Sequence, residues 1–125
     1  MMSTAIELVH TKTITGLLKK KVLKQFFSCS EIEYYSRYRD KNVRLAGCLA
    51  AKLAFIKVAQ HNPDIPCLKK IEIKHTISGK PYIMICDKKI QSCSLSISHT
   101  KSLAAAFCGI KNGKIHYTRK KKRYT

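Results

Sequence analysis

The sequence predicts a single α+β domain, and three observations carry that prediction. Apolar residues recur at helical spacing across residues 42–60, with Leu45, Leu49, Leu53 and Ile56 on one stripe and Ala46, Ala50 and Ala54 beside it. Beyond Pro66 the period changes to two, most cleanly in Lys70-Ile71-Glu72-Ile73-Lys74. A length of 125 residues with 45% apolar content suits one modest core and rules out wholesale disorder. Strand, then helices, then an antiparallel sheet packed on the long helix is the architecture that this order implies.

Each element has its own signal. Residues 5–10 read as a short, mostly buried strand with Glu7 the one acid in its middle. Residues 16–27 set Leu17, Leu18, Val22, Leu23 and Phe26 at helical spacing opposite Lys19, Lys20, Lys21 and Lys24, an amphipathic helix with a basic face. Ser30 is expected to cap a second short helix through Tyr34 and Tyr35, with Glu33 completing a capping box. Asn62-Pro63-Asp64 ends the long helix. Ser78-Gly79-Lys80-Pro81 is a turn into an apolar strand over 82–85, and strands follow over 93–99 and 103–110. Asn112-Gly113 predicts a hairpin returning through 115–117. The domain is expected to span 1–118, and the charge run in 119–125 is read as a disordered basic tail.

Composition excludes several classes. No uninterrupted apolar run approaches the roughly 18 residues of a membrane span, and the first residues lack the basic-then-apolar order of a secretory leader, so a cytoplasmic protein is expected. Six cysteines at spacings of 19, 19, 19, 7 and 15 contain no C-x-x-C pair and fit no zinc signature. They are read as small buried hydrophobes in a reducing compartment. The net charge of +18 points to an acidic partner without choosing it, with a compositional bias towards lysine as the alternative.

One constellation carries chemistry. Leu95-Ser96-Ile97-Ser98-His99-Thr100 is an apolar-alternating strand delivering a histidine and two hydroxyls to its tip, groups that suit phosphate oxygens. Ala50-Ala51-Lys52-Leu53-Ala54-Phe55-Ile56-Lys57 lies upstream, Gly79-Lys80-Pro81-Tyr82 lies between, and Ala5-Ile6-Glu7-Leu8-Val9 opens the chain. Phe27-Ser28 followed by Glu31, Tyr34 and Tyr35, and Leu45-Ala46-Gly47, stand in the same order. Together they resemble the holo-acyl-carrier-protein synthases, the short 4′-phosphopantetheinyl transferases, over nearly the whole chain.

The resemblance implies a 4′-phosphopantetheinyl transferase fold and a homotrimer. The implied reaction moves 4′-phosphopantetheine from coenzyme A to a serine of apo-acyl carrier protein and releases 3′,5′-ADP. Phosphoryl transfer asks for positioning and charge neutralisation more than covalent chemistry. Glu7 matches the first metal carboxylate, usually aspartate, for Mg²⁺ or Mn²⁺ in its place; its extra methylene shifts the carboxylate by roughly 1.5 Å. Lys57 matches the lysine against the diphosphate. Gly79, Lys80 and Pro81 match the nucleotide loop, and Ser98, His99 and Thr100 match the tip that reaches coenzyme A from a neighbouring subunit. Lys19, Lys20, Lys21 and Lys24 match the docking surface for the acidic carrier protein. Leu53 stands where the family has its second metal carboxylate, Cys48 where it has an arginine, and Gln60-His61-Asn62-Pro63 where it has a glycine turn. These departures define a second reading: a catalytically impaired member that binds coenzyme A or acyl carrier protein. A small basic nucleic-acid-binding protein is the third reading; it explains the charge but not the ordered motifs.

Overall fold

The computed structural model describes residues 2–59 and 62–111. Strand β1 (Met2–His10) leads into α1 (Thr11–Lys19), a 3₁₀ turn (Leu23–Gln25), α2 (Cys29–Ser36) and the long α3 (Lys41–Ala59). A second 3₁₀ turn (Leu68–Lys70) precedes β2 (Ile71–His75), β3 (Pro81–Ile85), the two-residue β4 (Lys88–Lys89), β5 (Cys93–His99) and β6 (Leu103–Lys111). The strands form two antiparallel sheets, ordered β1-β6-β5 and β2-β3-β4. No described helix is long and apolar enough to cross a membrane.

α3 organises the domain. Ala46, Ala50, Ala51 and Ala54 are fully buried, and their small side chains let the helix lie flat on β6 and β1, where Ala104 and Ala106 are equally buried. Gly47 is needed for this approach: a Cβ there would stand 2.9 Å from the Ile97 side chain. Ile71, Ile73, Ile83 and Ile85 of the second sheet close the core. The alternation predicted around Ile71 and Ile73 survives as a clean inward-facing pair.

Two predicted helices differ in detail. The basic helix expected over 16–27 starts earlier, at Thr11, and stops at Lys19. Lys21 turns to a φ of 57°, its N–H donates to the Leu18 carbonyl and that of Val22 donates to Leu17, a Schellman closure that ends the helix without glycine. The remaining apolar residues, Leu23 and Phe26, pack on the core through the 3₁₀ turn instead. The capping box is built on Ser28 and Glu31, not on Ser30 and Glu33: the Ser28 hydroxyl accepts from the Glu31 N–H, and the Glu31 carboxylate accepts from the Ser28 N–H. Glu31 prevails because its carboxylate is also required inside the core.

The cysteine expectation holds for only part of the set. Cys48 and Cys108 are buried and Cys93 is half-buried, whereas Cys29, Cys67 and Cys86 are exposed. The turn before β4 puts both Cys86 and Asp87 at positive φ, the twist of a type I′ hairpin. The predicted Asn112-Gly113 hairpin, its return strand and the basic tail lie outside the described residues.

Candidate active site

Glu7 and Lys57 meet. Glu7 lies on the face of β1 that α3 covers, level with Ala106 of β6, and its carboxylate is 2.5 Å from the Lys57 ammonium near the end of α3. The Glu7 side chain is mostly covered while that of Lys57 is 63% exposed, so an anchored carboxylate holds a cation that can swing towards solvent. Leu53, one turn before Lys57 on the same face of α3, is half-buried and packs against the core. Among the described residues no three histidine, cysteine or acidic side chains gather as a metal-binding set. A hard divalent cation uses one or two carboxylates and completes its shell with phosphate oxygens and water. The single Glu7 carboxylate fits such a cation only when a phosphate-bearing ligand supplies the remaining oxygens.

A second group assembles at the other end of α3. His99 closes β5 on the helix-facing side and lines a cleft of about 220 Å³ with Gly79, Pro81, Tyr38, Arg44 and His75. Gly79 adopts a φ of 91° in the loop between β2 and β3, a conformation that glycine alone takes without strain. Lys80 faces the adjoining cleft, which it shares with Pro81 and Lys89. Arg44 lies 3.9 Å above the Tyr38 ring and donates to Asp40 at 2.7 Å, a bond that draws the Asp40 carboxyl below its ordinary range.

The three residues of the β5 tip do not act as one patch. Strand alternation puts Ser98 on the opposite face from His99, beside Ala105. The Thr100 hydroxyl turns into the hairpin, accepting from the N–H groups of Ser102 and Leu103 at 3.4 and 3.3 Å. Only His99 of the three joins the loop residues Gly79 and Pro81 in the cleft.

Sequence reasoning missed the aromatic wall of that cleft. His75 stacks on Tyr34 with rings 5.2 Å apart and 6° from parallel, and meets Tyr35 edge-on. Burial, then the nearby Arg44 charge, lowers the His75 pKa below its usual 6.5, so the ring is neutral at neutral pH. The Tyr34, Tyr35 and Tyr38 spacing was a usable signal, one helical turn of aromatic residues. His75 had none, because its partner Tyr34 is distant in sequence.

The family motif around Glu31 proves to be the support beneath both groups. Its carboxylate accepts from Lys52 at 2.5 Å, from the Ser28 and Ile73 N–H groups and from the Cys48 thiol at 3.1 Å. Lys52 directs its remaining hydrogens to the Phe26 and Leu68 carbonyls at 2.8 and 2.9 Å. One buried, fully satisfied ion pair thus ties α2, α3, β2 and both 3₁₀ turns together. Cys48 contributes a thiol to this network where the resemblance implies a guanidinium, and burial raises its pKa. Nearby, burial raises the Glu72 carboxyl, but hydrogen bonds from Ser30 and Ser28 outweigh it and leave the pKa lowered.

Lys19, Lys20, Lys21 and Lys24 are all exposed, at the end of α1 and the turn behind it. The 3₁₀ turn that carries Lys24 lies against the one that carries Lys69 and Lys70, so the basic surface is wider than one helix.

No family model matches the chain. The chain is 38% identical over 101 residues to the holo-[acyl-carrier-protein] synthase of Thermoanaerobacter sp. (strain X514), covering 74% of this chain and 72% of that one. It is 32% identical over 111 residues to that of Wolbachia pipientis wMel, covering 84% and 89%. Its fold superposes on the holo-[acyl-carrier-protein] synthase of Helicobacter pylori, solved in complex with coenzyme A, with a TM-score of 0.72 and 28% identity over 87% of this chain and all of that one. Relatives above 30% identity and a shared fold place the chain in one class, the phosphopantetheinyl transferases of the short type. The chain belongs to the holo-[acyl-carrier-protein] synthase family.

Proposed function

We propose that this chain transfers the 4′-phosphopantetheine group of coenzyme A to a serine hydroxyl of apo-acyl carrier protein in the cytoplasm. The observation that carries the reading is the Glu7–Lys57 pair, in a chain of this family, which joins a mostly covered carboxylate to an exposed cation. The serine hydroxyl oxygen attacks the β-phosphate, the bond to the bridging oxygen breaks, 3′,5′-ADP leaves, and the serine proton passes to water. Lys57 moves from Glu7 to the diphosphate, neutralising charge that grows on the leaving oxygen. Glu7 is the residue that would hold Mg²⁺ or Mn²⁺, whose contribution is neutralisation of the diphosphate. His99, Gly79 and Pro81 take the nucleotide end, with Arg44 adding a cation the motifs do not name, and Lys80 flanks the entrance.

Two observations support a homotrimer with sites between subunits. Arg44 beside the His99 cleft and Lys57 are separated by thirteen residues of α3, about 20 Å of helix. A neighbouring chain's His99 would close that gap. The outer face of β1-β6-β5 also leaves Ile6 and Leu8 65% and 60% exposed, an apolar surface suited to such a neighbour. Lys19, Lys20, Lys21 and Lys24 would receive the acidic carrier protein, steering encounter in a salt-dependent way.

Leu53 favours a second reading, a member that binds coenzyme A or carrier protein without turnover. Intact-mass measurement of apo-acyl carrier protein incubated with the chain, coenzyme A and Mg²⁺ separates the two. A metal-dependent gain of one phosphopantetheine is expected. No gain at high protein concentration, alongside coenzyme A binding, would establish the second reading instead.

A further inference from the structure

We propose that Cys93 and Cys108 form a redox-active dithiol, which hydrogen peroxide converts to a disulfide across the β5–β6 pair. Their sulfurs lie 2.9 Å apart. Cys93 opens β5 opposite Ile110, and Cys108 lies in β6 opposite Leu95, so the two are diagonal neighbours on one face of adjacent antiparallel strands. Closing to a covalent S–S bond of about 2.05 Å needs less than about 1 Å of sulfur movement.

The two sulfurs have different roles. Cys93 is half-buried and borders a cleft of about 430 Å³ lined by Lys80, Lys89 and Gln91, which gives a small oxidant a path to its sulfur. Cys108 is buried. The hydrogen bond from Cys108 lowers the Cys93 pKa, while that same bond and burial raise Cys108. Cys93, the sulfur that the cleft reaches, is therefore the one that attacks, and the buried Cys108 is the one that resolves.

The chemistry balances without any group from the protein beyond these two. The Cys93 thiolate attacks one peroxide oxygen, the O–O bond breaks, and the departing hydroxide takes up a proton to leave as water. Cys93 is then a sulfenic acid. The Cys108 sulfur attacks the Cys93 sulfur, the S–O bond breaks, and the Cys108 proton leaves with that oxygen as a second water. Two thiols lose two electrons, and the peroxide gains them.

The four other cysteines serve as internal controls. Cys29, Cys67 and Cys86 are exposed but lie against no other thiol, and the Cys48 thiol is committed to Glu31. The test treats the reduced full chain with hydrogen peroxide, blocks remaining thiols with N-ethylmaleimide and maps the peptides. A cross-linked Cys93–Cys108 peptide, lighter by two hydrogen atoms and restored by dithiothreitol, is expected. Cys93→Ser should abolish it. Cys108→Ala should leave Cys93 as a sulfenic acid that dimedone traps. Recovery of both Cys93 and Cys108 as maleimide adducts, at a peroxide dose that oxidises Cys29, Cys67 and Cys86, would overturn the proposal. So would a cross-link that joins Cys93 to any exposed cysteine. Because the wild-type map decides by itself, a variant that fails to fold leaves the test intact.

Discussion

Lys52 is buried as completely as any aliphatic residue, and each of its ammonium hydrogens has a partner in Glu31, Phe26 or Leu68. Removing one member of a buried pair strands the other in low dielectric, at a cost of about 3–5 kcal/mol. Lys52→Met is therefore expected to lower unfolding free energy by that amount, read as a shifted midpoint in urea denaturation; a loss below about 1 kcal/mol would contradict the network. Leu53 raises the opposite question, a missing charge. Leu53→Glu puts a second carboxylate one turn from Lys57, on the face that reaches Glu7. An added carboxylate ligand is expected to strengthen Mn²⁺ binding in the presence of coenzyme A roughly tenfold or more. Titration calorimetry reads this directly, and metal-dependent transfer should rise with it. Unchanged Mn²⁺ affinity would mean that position 53 is remote from the cation.

Single elements are closed by local devices that the sequence disguises. Helix α1 ends in a Schellman motif whose left-handed position is Lys21 rather than glycine. A side chain in that conformation costs about 1–2 kcal/mol, partly offset because glycine loses more freedom on folding. Lys21→Gly should raise stability by about 0.5–1 kcal/mol in thermal or urea unfolding; destabilisation would mean that the turn is held by other contacts. The second device is the Ser28–Glu31 capping box, which a local rule placed two residues later. Ser30 and Glu33 satisfy the same pattern, and no property of α2 alone distinguishes the two. The choice falls to Glu31 because Lys52, Cys48 and the Ile73 N–H converge on its carboxylate from elsewhere in the fold.

Among the described residues, the outer face of the β1-β6-β5 sheet lies without a cover. Ile6 and Leu8 project from the outer side of β1, level with Phe107 and Ala105 of β6, while the inner side of the same sheet is sealed by α3. The proposed trimer would bury this face, and the gap along α3 between Arg44 and Lys57 gives that assembly a catalytic purpose. An Ile6→Asp, Leu8→Asp double variant should reduce the mass measured by light scattering from a trimer to a single chain, with transfer lost in parallel. A wild-type protein already monomeric at working concentration would defeat the trimer. Retained assembly in the variant would place the interface elsewhere.

The sequence by itself determined the class and order of the elements, since helical and two-residue apolar periods survive any packing arrangement. It also determined the family motifs, because Glu7, Lys57, Gly79 and His99 occur at recognisable spacing in the chain. Boundaries escaped it where a local signal was satisfied twice, as at Ser28 and Ser30, or where a lysine occupied a glycine's conformation. Only the tertiary structure decided which motif residues share a surface. It paired Glu7 with Lys57 and joined His99 to Gly79 and Pro81, while strand alternation turned Ser98 away and the hairpin claimed Thr100. It alone brought His75 to Tyr34 and Cys93 to Cys108, contacts between separate elements of the fold. Those pairings arise from sheet register and helix packing, which are set by the core as a whole and leave no mark at either residue.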